Sequence, residues 1–231
     1  MQQLPLTLRW PAQQRFDTFV AGDNAGSVAL LRDTSVNADG NWIFLSGAAG
    51  CGKTHLLISA CADASAADRV AQYLVLRGVQ ASAIRALGGS EVLALDELDA
   101  IAGDAEAEHA LFDLYNRCKV EKSTLLFGAD KPPAHLGIGL PDLVSRLASC
   151  TQVTLKPLSE DQRREAVRQR AEMRGLILDD AVLDWLFAHT PRDLGSLTAL
   201  IERLDRESLA AKRRITLPFL RSLLDGETKN G

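Results

Sequence analysis

Residues 47–54 carry the strongest chemical signal in the sequence, a complete GxxxxGK(S/T) motif that reads GAAGCGKT. The motif follows an apolar run at residues 42–46 and precedes a helical pattern, which is the context that a phosphate-binding loop (P-loop) requires. Its glycines let backbone N–H groups turn toward phosphate oxygens, while Lys53 neutralises their charge and the hydroxyl of Thr54 binds magnesium. These glycines are Gly47, Gly50 and Gly52. We therefore expect the phosphates of a nucleotide to bind here.

Two acidic residues follow another strand-like run. Asp96 and Glu97 come directly after the apolar residues 92–95, at the edge where open α/β sheets bind their ligands. Asp96 would hold the magnesium, and Glu97 would orient or deprotonate a water that attacks the γ-phosphate. Two acids at this place could also form a solvated strand end, but the P-loop in the same chain favours the catalytic interpretation.

Asp130 is a third candidate at the same edge of the predicted sheet. It follows the apolar residues 124–127, so its carboxylate would lie beside the γ-phosphate and position the attacking water. Taken alone, an aspartate before Lys131 and two prolines is an ordinary turn residue. Both interpretations remain open from the sequence.

The composition excludes several classes of protein. The 231 residues, 46% hydrophobic and 24% charged, suit one large soluble domain or a core with a smaller appendage, and no apolar run approaches the length of a membrane span. The N-terminus does not read as a secretory signal, so we expect a cytoplasmic protein. A net charge of −4 argues against a broad basic surface that holds nucleic acid.

The four cysteines form no CxxC pair, so neither a zinc site nor a disulfide framework is indicated. Cys51 lies inside the P-loop beside a predicted helix N-terminus, where the helix dipole could lower the pKa of the thiol. The simpler interpretation is a tolerated variable position in the loop.

Short β-like runs alternate with helical patterns up to Pro157, which is typical of a parallel sheet with crossover helices. The predicted strands are residues 42–46, 72–76, 92–95, 124–127 and 152–155. Beyond Pro157 the pattern predicts helices at residues 159–174, 179–189, 193–211 and 215–224, the first with a capping box at Ser159. We therefore expect an α/β core at residues 13–157 and an all-helical part at residues 158–231.

The P-loop, the strand that ends in Asp96 and Glu97, the polar fourth strand and the helical C-terminal part together resemble the AAA+ family of P-loop NTPases, and its DnaA branch in particular. Residues 16–24, FDTFVAGDN, are similar to the segment with which DnaA-type proteins cover the adenine, and Asn24 would lie nearest the base. His55, which follows the P-loop, completes the residues that we expect around the nucleotide. The resemblance implies ADP or ATP with Mg²⁺ as the ligand.

Two arginines match functional positions of the same family. Residues 140–147, LPDLVSRL, resemble the stretch that holds the arginine finger, which would be Arg146. Residues 191–194, PRDL, resemble the motif by which an arginine of the helical lid touches the phosphates, here Arg192. Either residue could also be an ordinary surface arginine.

Short blocks along the chain are similar to Hda-type regulators, a DnaA-related family that lacks the helix-turn-helix domain of DnaA. The blocks are DLYNR at 113–117, KPP at 131–133, GLPDL at 139–143 and TLPF at 216–219. Residues 3–8, QLPLTL, resemble the peptide by which this family binds the DNA polymerase sliding clamp, and residues 1–12 would form an extended arm. Its anchors would be Gln3, Leu4 and Leu6. Such a terminus could instead fold back onto its own domain.

The resemblance implies a bacterial regulator that binds the clamp, presents Arg146 to the ATP held by DnaA and so inhibits the initiation of DNA replication. Hda-type proteins often have an eroded P-loop or lack the second acid, whereas this chain keeps both features. Intrinsic ATP hydrolysis therefore remains possible. The alternatives are an autonomous ATPase of the DnaC or IstB helicase-loader type, acting as a homo-oligomer, and a small-molecule P-loop kinase.

Overall fold

The computed structural model describes residues 10–37, 41–190 and 194–211, together with Pro218 and Leu220. The chain divides into two compact units, Met1–Pro157 and Leu158–Gly231. Helices and strands alternate in the first unit, and helices alone form the described part of the second. Within the described ranges, no helix is long and apolar enough to cross a membrane.

Five parallel strands form one sheet in the first unit, with the order β2-β3-β4-β1-β5. The strands are β1 Ile43–Ser46, β2 Ala71–Val75, β3 Val92–Asp96, β4 Thr124–Ala129 and β5 Thr151–Thr154. The three central strands are buried along their whole length, because helices cover both faces of a sheet that is wound in this way. The predicted five-stranded parallel sheet is confirmed, with strand ends displaced by one or two residues.

Two apolar layers cover the two faces of this sheet. Successive residues of a strand point to opposite faces, so Phe44 belongs to one layer and Leu45 to the other. In the first layer the rings of Phe44 and Phe127 stack with centroids 6.2 Å apart. The helices of this unit are α1 Ala25–Val36, α2 Lys53–Ala66, α3 Ala81–Ala86, α4 Ala105–Glu121 and α5 Pro141–Ala148. Helices α3, α4 and α5 contribute to the first layer, and α1 and α2 contribute to the second.

The second unit contains α6 Glu160–Glu172, α7 Asp180–His189 and α8 Leu194–Ala211. Helix α6 begins with the predicted capping box, since the Ser159 hydroxyl accepts the backbone N–H of Gln162 and the Gln162 side chain accepts that of Ser159. The helices pack around a core of their own that includes Leu183 and Leu204. Of the predicted helix at residues 215–224, only Pro218 and Leu220 belong to the described residues.

We predict that Val92→Ala lowers the free energy of unfolding by about 2 kcal/mol, because two buried methyl groups are lost and a cavity remains. Val92 is fully buried in β3, whereas Val120 of α4 is 84% exposed. The matched control Val120→Ala should change stability by less than about 0.5 kcal/mol. Urea denaturation of both variants measures the difference. Equal effects would contradict the assignment of Val92 to the core.

Candidate functional site

The P-loop connects β1 to α2, and its last residue before the helix is Gly52. Gly52 has a φ of 99°, a left-handed conformation that side chains disfavour. A Cβ atom at this position would also lie 2.5 Å from a ring carbon of Phe19. Gly52 therefore has to be glycine for two reasons: the left-handed turn into α2 and the close packing of the Phe19 ring against it.

The ammonium of Lys53 lies inside the curve of the loop. Its Nζ donates to the carbonyl oxygens of Gly47 at 2.6 Å and Ala48 at 3.2 Å, and it forms an ion pair with Asp130 Oδ1 at 2.8 Å. The backbone N–H of Asp130 donates in turn to Asp99 Oδ1 at 2.6 Å, so the end of β4 is tied to the segment that follows β3. Two of the predicted site residues, Lys53 and Asp130, are thus in direct contact. Phosphate oxygens are chemically suited to replace the oxygens that now surround the ammonium.

Asp96 is a buried carboxylate that accepts three hydrogen bonds. Its Oδ2 accepts from the hydroxyl of Thr54 at 2.6 Å and from the phenol of Tyr73 at 2.9 Å, while Oδ1 accepts from the backbone N–H of Glu97 at 2.9 Å. A Cβ atom on Gly128 of the neighbouring strand would lie 2.6 Å from Asp96 Oδ1. The carboxylate therefore needs glycine beside it, and it is held in one orientation.

These residues fit a magnesium ion that arrives with a nucleotide. Mg²⁺ prefers hard oxygen ligands and is commonly bound by one or two side chains together with phosphates and water. The Thr54 hydroxyl donates a hydrogen bond to Asp96. The lone pairs of the Thr54 oxygen therefore remain available to a cation. The two predicted metal-binding residues are therefore brought together, with Asp96 orienting Thr54.

Glu97 follows Asp96 but its side chain has a different partner. Its backbone is left-handed, with a φ of 54°, and its Oε2 forms an ion pair with Arg77 Nε at 2.6 Å. The carboxylate remains 38% exposed, so water reaches it. The structure thus places Glu97 at the expected sheet edge and adds Arg77 as a cation beside it.

Two polar side chains connect the segment that precedes α1 to the rest of the first unit. The amide of Asn24 is buried and pairs with the backbone of Lys156, accepting from its N–H at 2.8 Å and donating to its carbonyl at 2.9 Å. The ring of His55 donates from Nε2 to the carbonyl of Arg15 at 2.9 Å. Asn24 and His55, both predicted to bind the nucleotide, therefore hold the segment in place. The side-chain amide of Asn24 forms its hydrogen bonds with the protein backbone.

Arg146 lies at the opposite edge of the sheet from the P-loop. Its guanidinium carbon is 5.9 Å from the centroid of the Tyr115 ring, and that ring packs edge-on against Trp42 with centroids 4.3 Å apart. Trp42 immediately precedes β1, whereas the P-loop follows it, and the four residues of the strand separate the two by about 13 Å. Within the described part of the chain, no carboxylate forms an ion pair with Arg146. Arg146 is therefore partly exposed, uncommitted to a carboxylate and distant from Lys53.

Four predicted site residues lie outside the described residues. They are Gln3, Leu4 and Leu6 of the N-terminal peptide and Arg192 of the second unit.

Tyr73 and Arg77 were not predicted as site residues. Both follow from the parallel sheet, because β2 lies next to β3 and its C-terminal end meets Asp96 and Glu97. Burial raises the pKa of Tyr73 and the Asp96 carboxylate raises it further, so the phenol keeps its proton and remains a donor. The sequence signal that could have identified them is their place in and just after β2, the strand that pairs with the strand ending in Asp96.

Burial also decides the state of Cys51. It raises the pKa of the thiol, and the positive charge of Lys53 offsets only part of this effect. The possibility that a helix dipole activates this cysteine is therefore not supported, and the interpretation as a tolerated loop position is the better one.

Two protein-family models match the chain in succession. The model of the bacterial DnaA ATPase domain matches residues 11–156, and the model of the Hda lid domain matches residues 160–224. The first match alone covers more than half of the chain.

Solved structures of similar fold include both DnaA and a second AAA+ protein. Domain III of the replication initiation protein DnaA from Thermotoga maritima has a TM-score of 0.79 at 20% identity, over 94% of this chain and 98% of that chain. AMPPCP-bound DnaA from Aquifex aeolicus has a TM-score of 0.67 at 21% identity, over 87% and 72%. The Thermotoga maritima RuvB Holliday junction branch migration motor has a TM-score of 0.62 at 16% identity, over 91% and 73%. The matched α/β core, the matched lid and this shared fold together show that the chain belongs to the DnaA and Hda family of AAA+ proteins.

Proposed function

We propose that this chain is a regulatory AAA+ protein that binds an adenine nucleotide and the DNA polymerase sliding clamp and promotes hydrolysis of the ATP bound by DnaA. It would thereby act as an inhibitor of replication initiation in the bacterial cytoplasm. The observation that carries the proposal is the position of Arg146, at the edge of the sheet opposite the chain's own P-loop and free of a carboxylate partner among the described residues.

The nucleotide is the first part of the proposal. DnaA of the same fold has been solved with AMPPCP, an analogue of ATP, which supports ADP or ATP as the ligand here. Lys53 and the P-loop amides would hold the phosphates, Thr54 would hold Mg²⁺, and residues 16–24 would cover the adenine. The bound metal would supply charge neutralisation between the phosphates. Arg192 of the lid would also contact the phosphates, as the family resemblance implies.

The arginine is the second part. A guanidinium supplied across a protein interface stabilises the charge that develops on the phosphate oxygens during phosphoryl transfer, and it can raise the rate by about 10³ to 10⁵. Its planar fork binds two oxygens at once and never loses its charge. Arg146 meets these requirements because it is partly exposed and lies too far from Lys53 to serve the nucleotide of its own chain.

The third part is the N-terminal arm at residues 1–12. An extended peptide binds a groove through apolar anchors, each worth about 1.5 to 3 kcal/mol when fully buried, and Leu4 and Leu6 are suited to this role. Gln3 would add hydrogen bonds. The clamp would bring the protein close to DnaA on newly replicated DNA.

An autonomous ATPase of the helicase-loader type is the second candidate, favoured by the complete set of P-loop and acidic residues. The ion pair between Glu97 and Arg77 argues for slow hydrolysis by the chain alone, because the carboxylate would have to leave Arg77 before it could orient a water. An ATPase assay with and without single-stranded DNA separates the two candidates. Strong turnover that DNA increases and DnaA does not would favour the second.

We predict that Lys53→Ala weakens the binding of ADP and ATP by at least about tenfold, because a direct cation contact to phosphate is lost. Isothermal titration calorimetry measures the affinity. Lys119→Ala, which removes an exposed lysine of α4, serves as the matched control and should bind like the wild type. Unchanged affinity of the Lys53 variant would show that the P-loop is not the working site.

We predict that joint replacement of Gln3, Leu4 and Leu6 by alanine abolishes clamp binding while stability stays within about 1 kcal/mol, because an anchor peptide contributes little to its own fold. Surface plasmon resonance on immobilised clamp and a thermal melt give the two readouts. A double variant of the flanking residues, Gln2→Ala with Thr7→Ala, should retain binding. A large loss of stability in the first variant would indicate that the N-terminus is structural.

We predict that Arg146→Ala preserves the fold, ADP binding and clamp binding but lowers the stimulation of ATP hydrolysis on DnaA by at least about 10², because arginine fingers contribute about 10³ to 10⁵ to such rates. Arg146→Lys should rescue little, because an ammonium lacks the planar fork. Single-turnover hydrolysis on DnaA with clamp-loaded protein is the measurement, and Arg85→Ala on the surface of α3 is the control. Stimulation that stays near the wild-type level without Arg146 would remove the finger assignment.

A further inference from the structure

Helix α5, which carries Arg146, is hydrogen-bonded at both ends to the neighbouring helix α4. Both helices run from the edge of the sheet where strands end toward the edge where strands begin. Glu108 of α4 binds the chain at the start of α5, and Tyr115 of α4 binds the end of α5. The two ties are separate in space and chemically different.

The first tie is a buried carboxylate. Glu108 is 2% exposed and accepts the backbone N–H groups of Gly139 at 3.0 Å, Leu140 at 2.9 Å and Gly103 at 2.8 Å. Leu140 is the N-cap residue of α5, where backbone N–H groups lack partners within the helix and the helix dipole is positive. A negative charge at this point therefore stabilises the start of α5 and fixes its distance from α4.

The second tie is an aromatic ring with a hydroxyl. The phenol of Tyr115 donates to the carbonyl of Arg146 at 3.3 Å and lies 3.3 Å from the hydroxyl of Ser149. The face of the same ring supports the Arg146 guanidinium at 5.9 Å, within the range of a cation–π contact. Burial raises the pKa of Tyr115, so the hydroxyl stays protonated and able to donate. One side chain thus contacts both the backbone and the charged group of Arg146.

The two hydrogen-bonded contacts between α4 and the α5 segment have the same spacing in sequence on both sides. Glu108 and Tyr115 are seven residues apart on α4, and the two groups they bind, at Gly139 and Arg146, are also seven residues apart. On α4 seven residues make two helical turns, or about 10.5 Å, whereas Gly139 lies just before α5, which begins at Pro141. A slip of α5 by one residue along its axis would break both ties together, so the pair specifies the register of α5.

We propose that Glu108 and Tyr115 are positioning residues for Arg146, which hold α5 in the register that presents the guanidinium to a nucleotide on the partner. The inference rests on the proposed function of Arg146 and names two residues that the action of Arg146 requires. A misplacement of a catalytic group by about 1 Å can lower a rate by about a hundredfold. Loss of either tie should therefore lower the maximal rate on the partner, while the surface that binds the partner remains.

The test measures single-turnover hydrolysis of ATP on DnaA over a range of concentrations of the clamp-loaded protein. We expect Tyr115→Leu to lower the maximal rate by at least about tenfold while the half-saturating concentration changes by less than about twofold. Tyr115→Phe keeps the ring under the guanidinium and should recover most of the rate. Glu108→Gln keeps the shape but turns a donor toward one of the three N–H groups, and should also lower the maximal rate without changing half-saturation.

The controls separate positioning from folding and from the proposed function. Leu111→Ala removes a buried apolar residue of α4 that forms no hydrogen bond to α5, and it should lower stability in urea without lowering the maximal rate to the same extent. If Tyr115→Leu does not fold, Glu108→Gln carries the test. If Arg146→Ala abolishes stimulation while the Tyr115 and Glu108 variants stay within about twofold of wild type, the positioning inference is wrong and the finger assignment stands. If Arg146→Ala stimulates normally, the proposed function itself fails.

Discussion

All five strands of the sheet point the same way, and this constraint gives the two edges of the sheet different chemistry. The edge where strands end gathers the P-loop after β1, Asp96 and Glu97 at the end of β3, and Asp130 after β4. The edge where strands begin gathers Trp42, Tyr115 and Arg146. A parallel sheet requires helices that return from one edge to the other, and α5 carries Arg146 along such a return path. The topology of the sheet therefore separates Arg146 from the P-loop of the same chain.

Polar groups at the edge where strands end are held by hydrogen bonds and an ion pair among themselves. Asp96 is buried, and three N–H and O–H groups donate to its two oxygens and hold it in one orientation. The positive charge of Lys53 is compensated by the Asp130 carboxylate and by the carbonyl oxygens of Gly47 and Ala48. A nucleotide would exchange these partners of Lys53 for phosphate oxygens.

Much of this arrangement could be predicted from the sequence, because the strands are short apolar runs and the P-loop has fixed spacing. The acidic pair and Asp130 were placed at the correct edge for the same reason. Contacts between residues distant in the chain could not be predicted. Asn24 was expected beside the base from the resemblance, whereas its amide pairs with Lys156, a residue 132 positions away. The bonds of Tyr73 to Asp96 and of Glu108 to the start of α5 depend likewise on which elements become neighbours.

The proposed function requires that this chain act on the nucleotide of a partner and not on its own. The most direct measurement compares two mixtures of this protein, clamp and DnaA that differ only in where γ-labelled ATP is loaded. In one the label is bound to DnaA and this chain carries ADP; in the other the label is bound to this chain and DnaA carries ADP. We predict a rapid release of labelled phosphate in the first mixture and slow release in the second. Rapid release in the second mixture, with none above the intrinsic rate of DnaA in the first, would contradict the proposed function.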